Sequence, residues 1–199
     1  NYDYADKYYV SMSYRHDGSS RFHKDNRWGN FWSFGASWRV TEEEFMKDIT
    51  WLNNLKIRAS YGETGNDQLD SYYPYQTLYG LGYNNGGEAG AYFFDVANPD
   101  LKWEKTGQFD FGVELGLWNQ RLTFDVSYYQ KKTTDLLLSC PVPHSSGFTS
   151  IMKNIGSVKN SGFDIMVSGS PIQTEDFNWT ATLSANYNKN EILKLGENN

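Results

Sequence analysis

The stretch from Asn98 to Leu138 limits the possible folds more than any other. It holds two long alternating segments joined by a short turn, Trp118-Asn119-Gln120-Arg121. Before the turn, Trp103, Phe109, Phe111, Val113, Leu115 and Leu117 share one parity; Gln108, Asp110, Gly112, Glu114 and Gly116 share the other. After it, Leu122, Phe124, Val126 and Tyr128 alternate with Thr123, Asp125, Ser127 and Tyr129. A period of two is the signature of a β-strand with unlike faces. Strands in soluble domains average about 5–6 residues, whereas a tilted strand crossing a bilayer needs about 9–11. Both segments reach the longer figure.

In a soluble sandwich the apolar face would be a core. In a membrane barrel it meets lipid, and the polar face meets a wet lumen. The barrel reading places Arg15, Arg39, Lys56, Arg58, Asp110, Glu114, Asp125 and Asp164 along the lumen. It also puts Trp103 and Trp118 in aromatic girdles at opposite ends of one strand. No run of 18 apolar residues exists, which excludes a transmembrane helix but not a barrel. With 24 acidic against 18 basic residues and no basic patch in view, nothing supports nucleic-acid binding. The single cysteine, Cys140, rules out an internal disulfide.

Further alternating segments occur at Lys7–His16, Asn30–Val40, Leu55–Gly62, Gly162–Gly169 and Trp179–Tyr187, which makes about seven long strands. Thr41-Glu42-Glu43-Glu44 reads as a capping box opening a short helix to Asp48, with Val40 and Phe45 as a hydrophobic staple. The connections are alternately longer and shorter, as in an up-and-down barrel. On that scheme the links at 17–27, 64–99 and 139–155 lie outside the cell, and the Thr41 helix, the Trp118 turn and 170–176 lie in the periplasm. The 64–99 link is long and aromatic, with a short strand expected at Tyr75–Leu78. Tyr72, Tyr73, Tyr75, Tyr79, Tyr83, Tyr92, Phe93 and Phe94 are its candidates for contact with a solute or a protein lid, because aromatic rings offer area at low entropic cost.

No catalytic or metal constellation is legible, so no enzyme and no cofactor is expected. His16, His23 and His144 lie far apart without ligand spacing. Ser150-Ile151-Met152-Lys153 matches a Ser-x-x-Lys pattern without a helix to carry it. Gly112 and Gly116 sit on a strand, where Gly-x-x-x-Gly has no helix-packing meaning.

Several blocks resemble the SusC/RagA type of TonB-dependent outer-membrane transporter. They are Gly29 to Arg39 (GNFWSFGASWR), Leu55 to Asn66 (LKIRASYGETGN), Asn98 to Lys105 (NPDLKWEK), Asn154 to Asp164 (NIGSVKNSGFD) and Asn186 to Ile192 (NYNKNEI). The resemblance implies an all-β, antiparallel up-and-down transmembrane barrel of 22 strands around an N-terminal plug. This chain would be an inner part of the C-terminal half, a partial barrel domain over residues 1–199 without plug or TonB box. Family members often carry Glu where Asp164 stands, so the charge is kept.

The function so implied is the wall of an active importer of oligosaccharides or peptides in the outer membrane of a Gram-negative, Bacteroidetes-like cell. Its partners would be a SusD-like surface lipoprotein, TonB and outer-membrane lipid. The alternatives are a soluble carbohydrate-binding β-sandwich, in which Phe109, Phe111, Val113 and Phe124 would be buried between sheets, and a passive porin. The chain reads as an excerpt that would aggregate or need detergent on its own, because lipid does not tolerate open strand edges.

Overall fold

The computed structural model describes residues 1–196; residues 197–199 and the side chains of Phe94 and Asp95 lie outside the described residues. In chain order the strands are β1 (Tyr2–Tyr4), β2 (Tyr8–Gly18), β3 (Trp28–Arg39), β4 (Leu52–Asn66), β5 (Leu78–Asn85), β6 (Glu88–Asp95), β7 (Glu104–Leu117), β8 (Leu122–Thr134), β9 (Leu137–Pro141), β10 (Ser150–Asn154), β11 (Ser157–Gln173) and β12 (Asn178–Lys194). Eight form one antiparallel sheet in the order β1-β2-β3-β4-β7-β8-β11-β12. The pairs β5-β6 and β9-β10 are separate two-stranded ribbons inserted in the long links.

The register aligns like residues across the sheet. Val10, Ala36, Ala59, Phe111, Tyr128, Phe163 and Tyr187 make one row, and Tyr8, Trp38, Ile57, Val113, Val126, Ile165 and Ala185 the next. Among the described residues no second sheet covers them. Met12 is 74% exposed and Leu183 72%, and Phe34, Phe111 and Phe163 are also exposed. The sandwich alternative, which buries this face, is overturned. From Leu117 to Phe109 the band runs about 27 Å along β7, or about 21 Å in height at a tilt of ~40°. That is close to the ~25 Å apolar band of an outer-membrane barrel.

The strands run past their apolar patterns: β4 begins at Leu52 and ends at Asn66, and β11 ends at Gln173. Alternation marks only the portion whose two faces differ in solvent, while the backbone ladder continues beyond it. The expected strand at Tyr75–Leu78 is displaced to β5. There Gly86 and Gly87, both at positive φ, form the two-residue turn into β6, as hairpin twist requires.

Trp103 is not a girdle residue. A turn closed by Leu101 N–H on the Asn98 carbonyl (3.3 Å) precedes β7 and breaks the parity. Trp103 then folds inward, donates its indole N–H to the Arg27 carbonyl at 2.9 Å, and packs edge-on against Phe31 with ring centroids 5.5 Å apart. With Phe31, Phe22, Leu69 and Leu101 it forms the only buried apolar cluster among the described residues, and with the half-buried Leu137 and Met152 packed against it the cluster pins three long links together. Gly65 leaves the space the Phe31 ring fills. F31A is expected to cost about 3–5 kcal/mol in denaturant unfolding of the full-length protein followed by tryptophan fluorescence. G65A, by displacing the same ring, should cost less when added to F31A than alone.

The expected helix at Thr41 is replaced by two 3-10 turns, Val40–Glu42 and Glu44–Met46, with Glu43 extended between them. Thr41 caps nothing; its hydroxyl accepts the Leu55 N–H at 3.4 Å. Glu43 instead receives Tyr8 Oη at 2.5 Å, Lys7 Nζ at 3.0 Å and Trp38 Nε1 at 3.1 Å. Charge-assisted bonds of this kind outweigh one turn of marginal helix. The Tyr8 hydroxyl, then the Lys7 ammonium and the Trp38 indole, lower the Glu43 carboxyl from 4.5 to about 2. A depressed acid stabilises fully above its unfolded value and loses that contribution as pH falls toward the folded one. Trp38 fluorescence should therefore hold down to about pH 4.5 and change as pH approaches about 2, and E43Q should show the altered signal already at neutral pH. A wild-type midpoint near 4.5 would contradict this.

Candidate functional site

The residues between the apolar rows form the opposite face, which is concave. Depressions of about 730, 430 and 340 Å³ open there, lined mainly by residues of the polar parity, including Ser11, Arg58, Ser60, Asp110, Ser127 and Asp164.

At its centre lies Arg58 of β4. It stands opposite Gly112 of β7, which in turn stands opposite Ser127 of β8. A Cβ on Gly112 would fall 2.7 Å from the Arg58 Nε, so the missing side chain lets the guanidinium lie flat across β7. It donates to Glu114 of β7 through Nη1 and to Asp125 of β8 at 2.7 Å through Nη2. Lys56 adds a looser contact to Glu114 at 3.9 Å. One arginine thus ties three strands and separates two carboxylates that face each other in the Glu114–Asp125 pair.

The other expected residues of this face are near but not in that cluster. Arg15 pairs with Asp17 at 2.6 Å, and Arg39 lies over the Tyr9 ring at 5.6 Å. Asp110 accepts both of its contacts from the Gln108 amide at 3.1 Å. Asp164 accepts from the Asn186 amide. Among the described residues no group of His, Cys, Asp or Glu is arranged to hold a metal ion.

The aromatic candidates fall into two sets. Tyr79 packs against Phe93 with the ring planes tilted (4.9 Å) and Tyr83 meets Tyr92 edge-on (4.5 Å), on opposite sides of the β5-β6 ribbon. Gly80 opens the slot that the Tyr92 ring occupies. All four rings remain exposed. Tyr72 lies under Arg21 at 5.2 Å, Tyr75 edges against His23 at 6.0 Å, and Tyr73 is exposed. The Phe94 side chain lies outside the described residues.

Two features escaped the sequence reading. Phe31 occupies the polar parity of β3, and that break in alternation, with Gly29 beside it, was the available signal for the buried cluster. Glu43 had no such signal, because its three donors are spread over β2, β3 and the residue before β2.

A single antiparallel layer, apolar on one face and charged on its hollow face, is the architecture of a membrane β-barrel wall. The sequence matches the family described as TonB dependent receptor-like, beta-barrel, over residues 1–198, and the chain belongs to that family. It is 41% identical over 196 residues to TonB-dependent receptor P39 of Formosa agariphila, covering 98% of this chain and 19% of that protein. It is 38% identical over 206 residues to the TonB-dependent receptor SusC of Bacteroides thetaiotaomicron, covering 98% of this chain and 20% of SusC. Among solved structures, the RagAB peptide importer in its 'open-open' state superposes with a TM-score of 0.90 at 37% identity, over 100% of this chain and 22% of that one. The 'closed-closed' state gives 0.87 at 38%, over 95% and 21%. The chain is thus of the SusC/RagA type and spans about a fifth of the length of these relatives.

R58Q should lower the thermal stability of the full-length receptor by leaving Glu114 and Asp125 opposed, and E114Q/D125N in that background should recover it. G112A should mimic R58Q, because its methyl group lifts the guanidinium off the wall. Thermal unfolding in detergent reads both; an R58Q loss unchanged by E114Q/D125N would show that charge opposition is not its cause.

Proposed function

We propose that this chain forms part of the barrel wall of an active importer in the outer membrane of a Gram-negative, Bacteroidetes-like cell. It would take up oligosaccharides or peptides with a SusD-like surface lipoprotein and energy delivered through TonB. The observation that carries this is the pairing of an uncovered apolar face with a hollow charged one in a chain of the SusC/RagA type. In this reading the charged face lines the lumen, with Arg15, Arg39, Lys56, Arg58, Asp110, Glu114, Asp125 and Asp164 along it. The long links lie outside the cell, and the Glu43 clamp and the Trp118 turn lie in the periplasm. The superposing RagAB structures are of a peptide importer, and that supports a peptide as one substrate class.

The β5-β6 ribbon is the recognition element of this proposal. Its exposed rings offer stacking surfaces to a sugar ring, a peptide side chain or the lid. In the full-length protein, Y79S/Y83S/F93S should lower uptake of the transported solute by about tenfold, the equivalent of one lost aromatic stack. The folded barrel should persist as judged by heat-modifiable gel mobility. Unchanged uptake would remove the ribbon from recognition, and uptake that continues without TonB would make the protein a passive porin.

A further inference from the structure

The apolar face changes character toward the long-link end of β7, β8, β11 and β12. The row above Tyr128, Phe163 and Tyr187 runs Phe109, Gln130, Ser161, Lys189, and the next runs Glu63, Gly107, Lys132, Lys159, Glu191. Lys105 follows on β7, opposite Thr134 and diagonal to Lys132. Four lysines therefore gather on the outward face against two glutamates, in a chain whose acidic residues outnumber its basic ones 24 to 18. Their height is set by the pattern below them. Lys132 lies four residues beyond Tyr128, about 13 Å further along the strand, just outside the hydrocarbon band.

The arrangement is not self-neutralising. Glu191 is committed to Lys189 at 2.5 Å and to Lys159 at 3.6 Å. Glu63 accepts from the Tyr61 hydroxyl at 3.1 Å. Lys132 stands directly opposite Lys159 in the β8-β11 ladder, and like charges at such a pair are destabilising. Among the described residues neither Lys105 nor Lys132 makes an ion pair. An anion between these side chains would turn that repulsion into attraction. At this height, on the face that meets lipid, the anion in reach is a phosphate on a membrane headgroup.

Resting on the barrel reading above, we infer that Lys105, Lys132 and Lys159 form a docking site for the phosphorylated headgroup of an outer-leaflet glycolipid. Lysine suits this position because its carbon stem lies along apolar surface while the ammonium reaches outward. Glu191 holds Lys159 and Lys189 in place and limits how many phosphates the patch accepts.

The test uses the full-length receptor in detergent, with native mass spectrometry to count bound lipid. The probe is a monophosphorylated lipid A, compared with the same glycolipid lacking its phosphate and with inorganic phosphate. The wild-type protein should retain the phosphorylated lipid preferentially. K105Q/K132Q should weaken that binding about thirtyfold, taking each lysine near an anionic surface at its usual contribution. K131Q, on the opposite face, should leave it unchanged. Equal binding of the dephosphorylated lipid, equal loss in K131Q, or competition by inorganic phosphate at the lipid's own concentration would overturn the site. Loss of lipid preference with a heat-modifiable barrel intact removes this inference alone; a wild-type protein soluble without detergent removes the barrel reading itself.

Discussion

Every face in this molecule depends on strand register. With a side-chain period of two, a slip of one residue between β7 and β8 would carry Phe124 and Val126 into the hollow and Asp125 toward lipid. Backbone bonds alone do not prevent this, since a slipped ladder can still pair. The cross-strand contacts of the charged face oppose it. Arg58 reaches its two carboxylates only in the observed register, and Asp164 meets Asn186 only when β11 and β12 align as they do. At the short-link end the Trp118 turn, with its left-handed residues, is tied to the β3-β4 link by the Trp118 N–H on the Trp51 carbonyl at 2.9 Å and to Asn53 of β4 through Asn119. At the other end Phe31 and Trp103 hold the long links. The register is therefore fixed at both ends and in the middle.

The alternating strands were legible because two solvents wrote opposite requirements onto adjacent residues. Phe109, Phe111 and Val113 against Asp110, Gly112 and Glu114 state both the fold and the two faces. The same logic failed where that opposition ends. Trp103 shares the parity of Phe109, yet the turn at Asn98 redirects it, so parity alone assigned it to the wrong surroundings. The aromatic ribbon was visible as composition, but its strand positions depend on the Gly86-Gly87 turn rather than on any alternation.

Glu43 shows a different reason for illegibility. Its local signals, an acidic first turn after Thr41, all favour a helix. Three donors from distant positions compete for the same carboxylate, and an extended backbone at Glu43 is what lets them reach it. Local preference lost to contacts that no window of neighbouring residues contains. The charged cluster was half legible in the same sense: Arg58, Glu114 and Asp125 were recognisable as one face, but that Gly112 joins them was not.

That glycine has a consequence for the space beside the wall. Because the guanidinium is pressed against the backbone, its charge is spent sideways along the strands and does not project across the opening. The hollow face stays flush at this point, and the charges on it are already matched in ion pairs. A surface finished flush in this way leaves little unpaired charge for a polar molecule to hold on to.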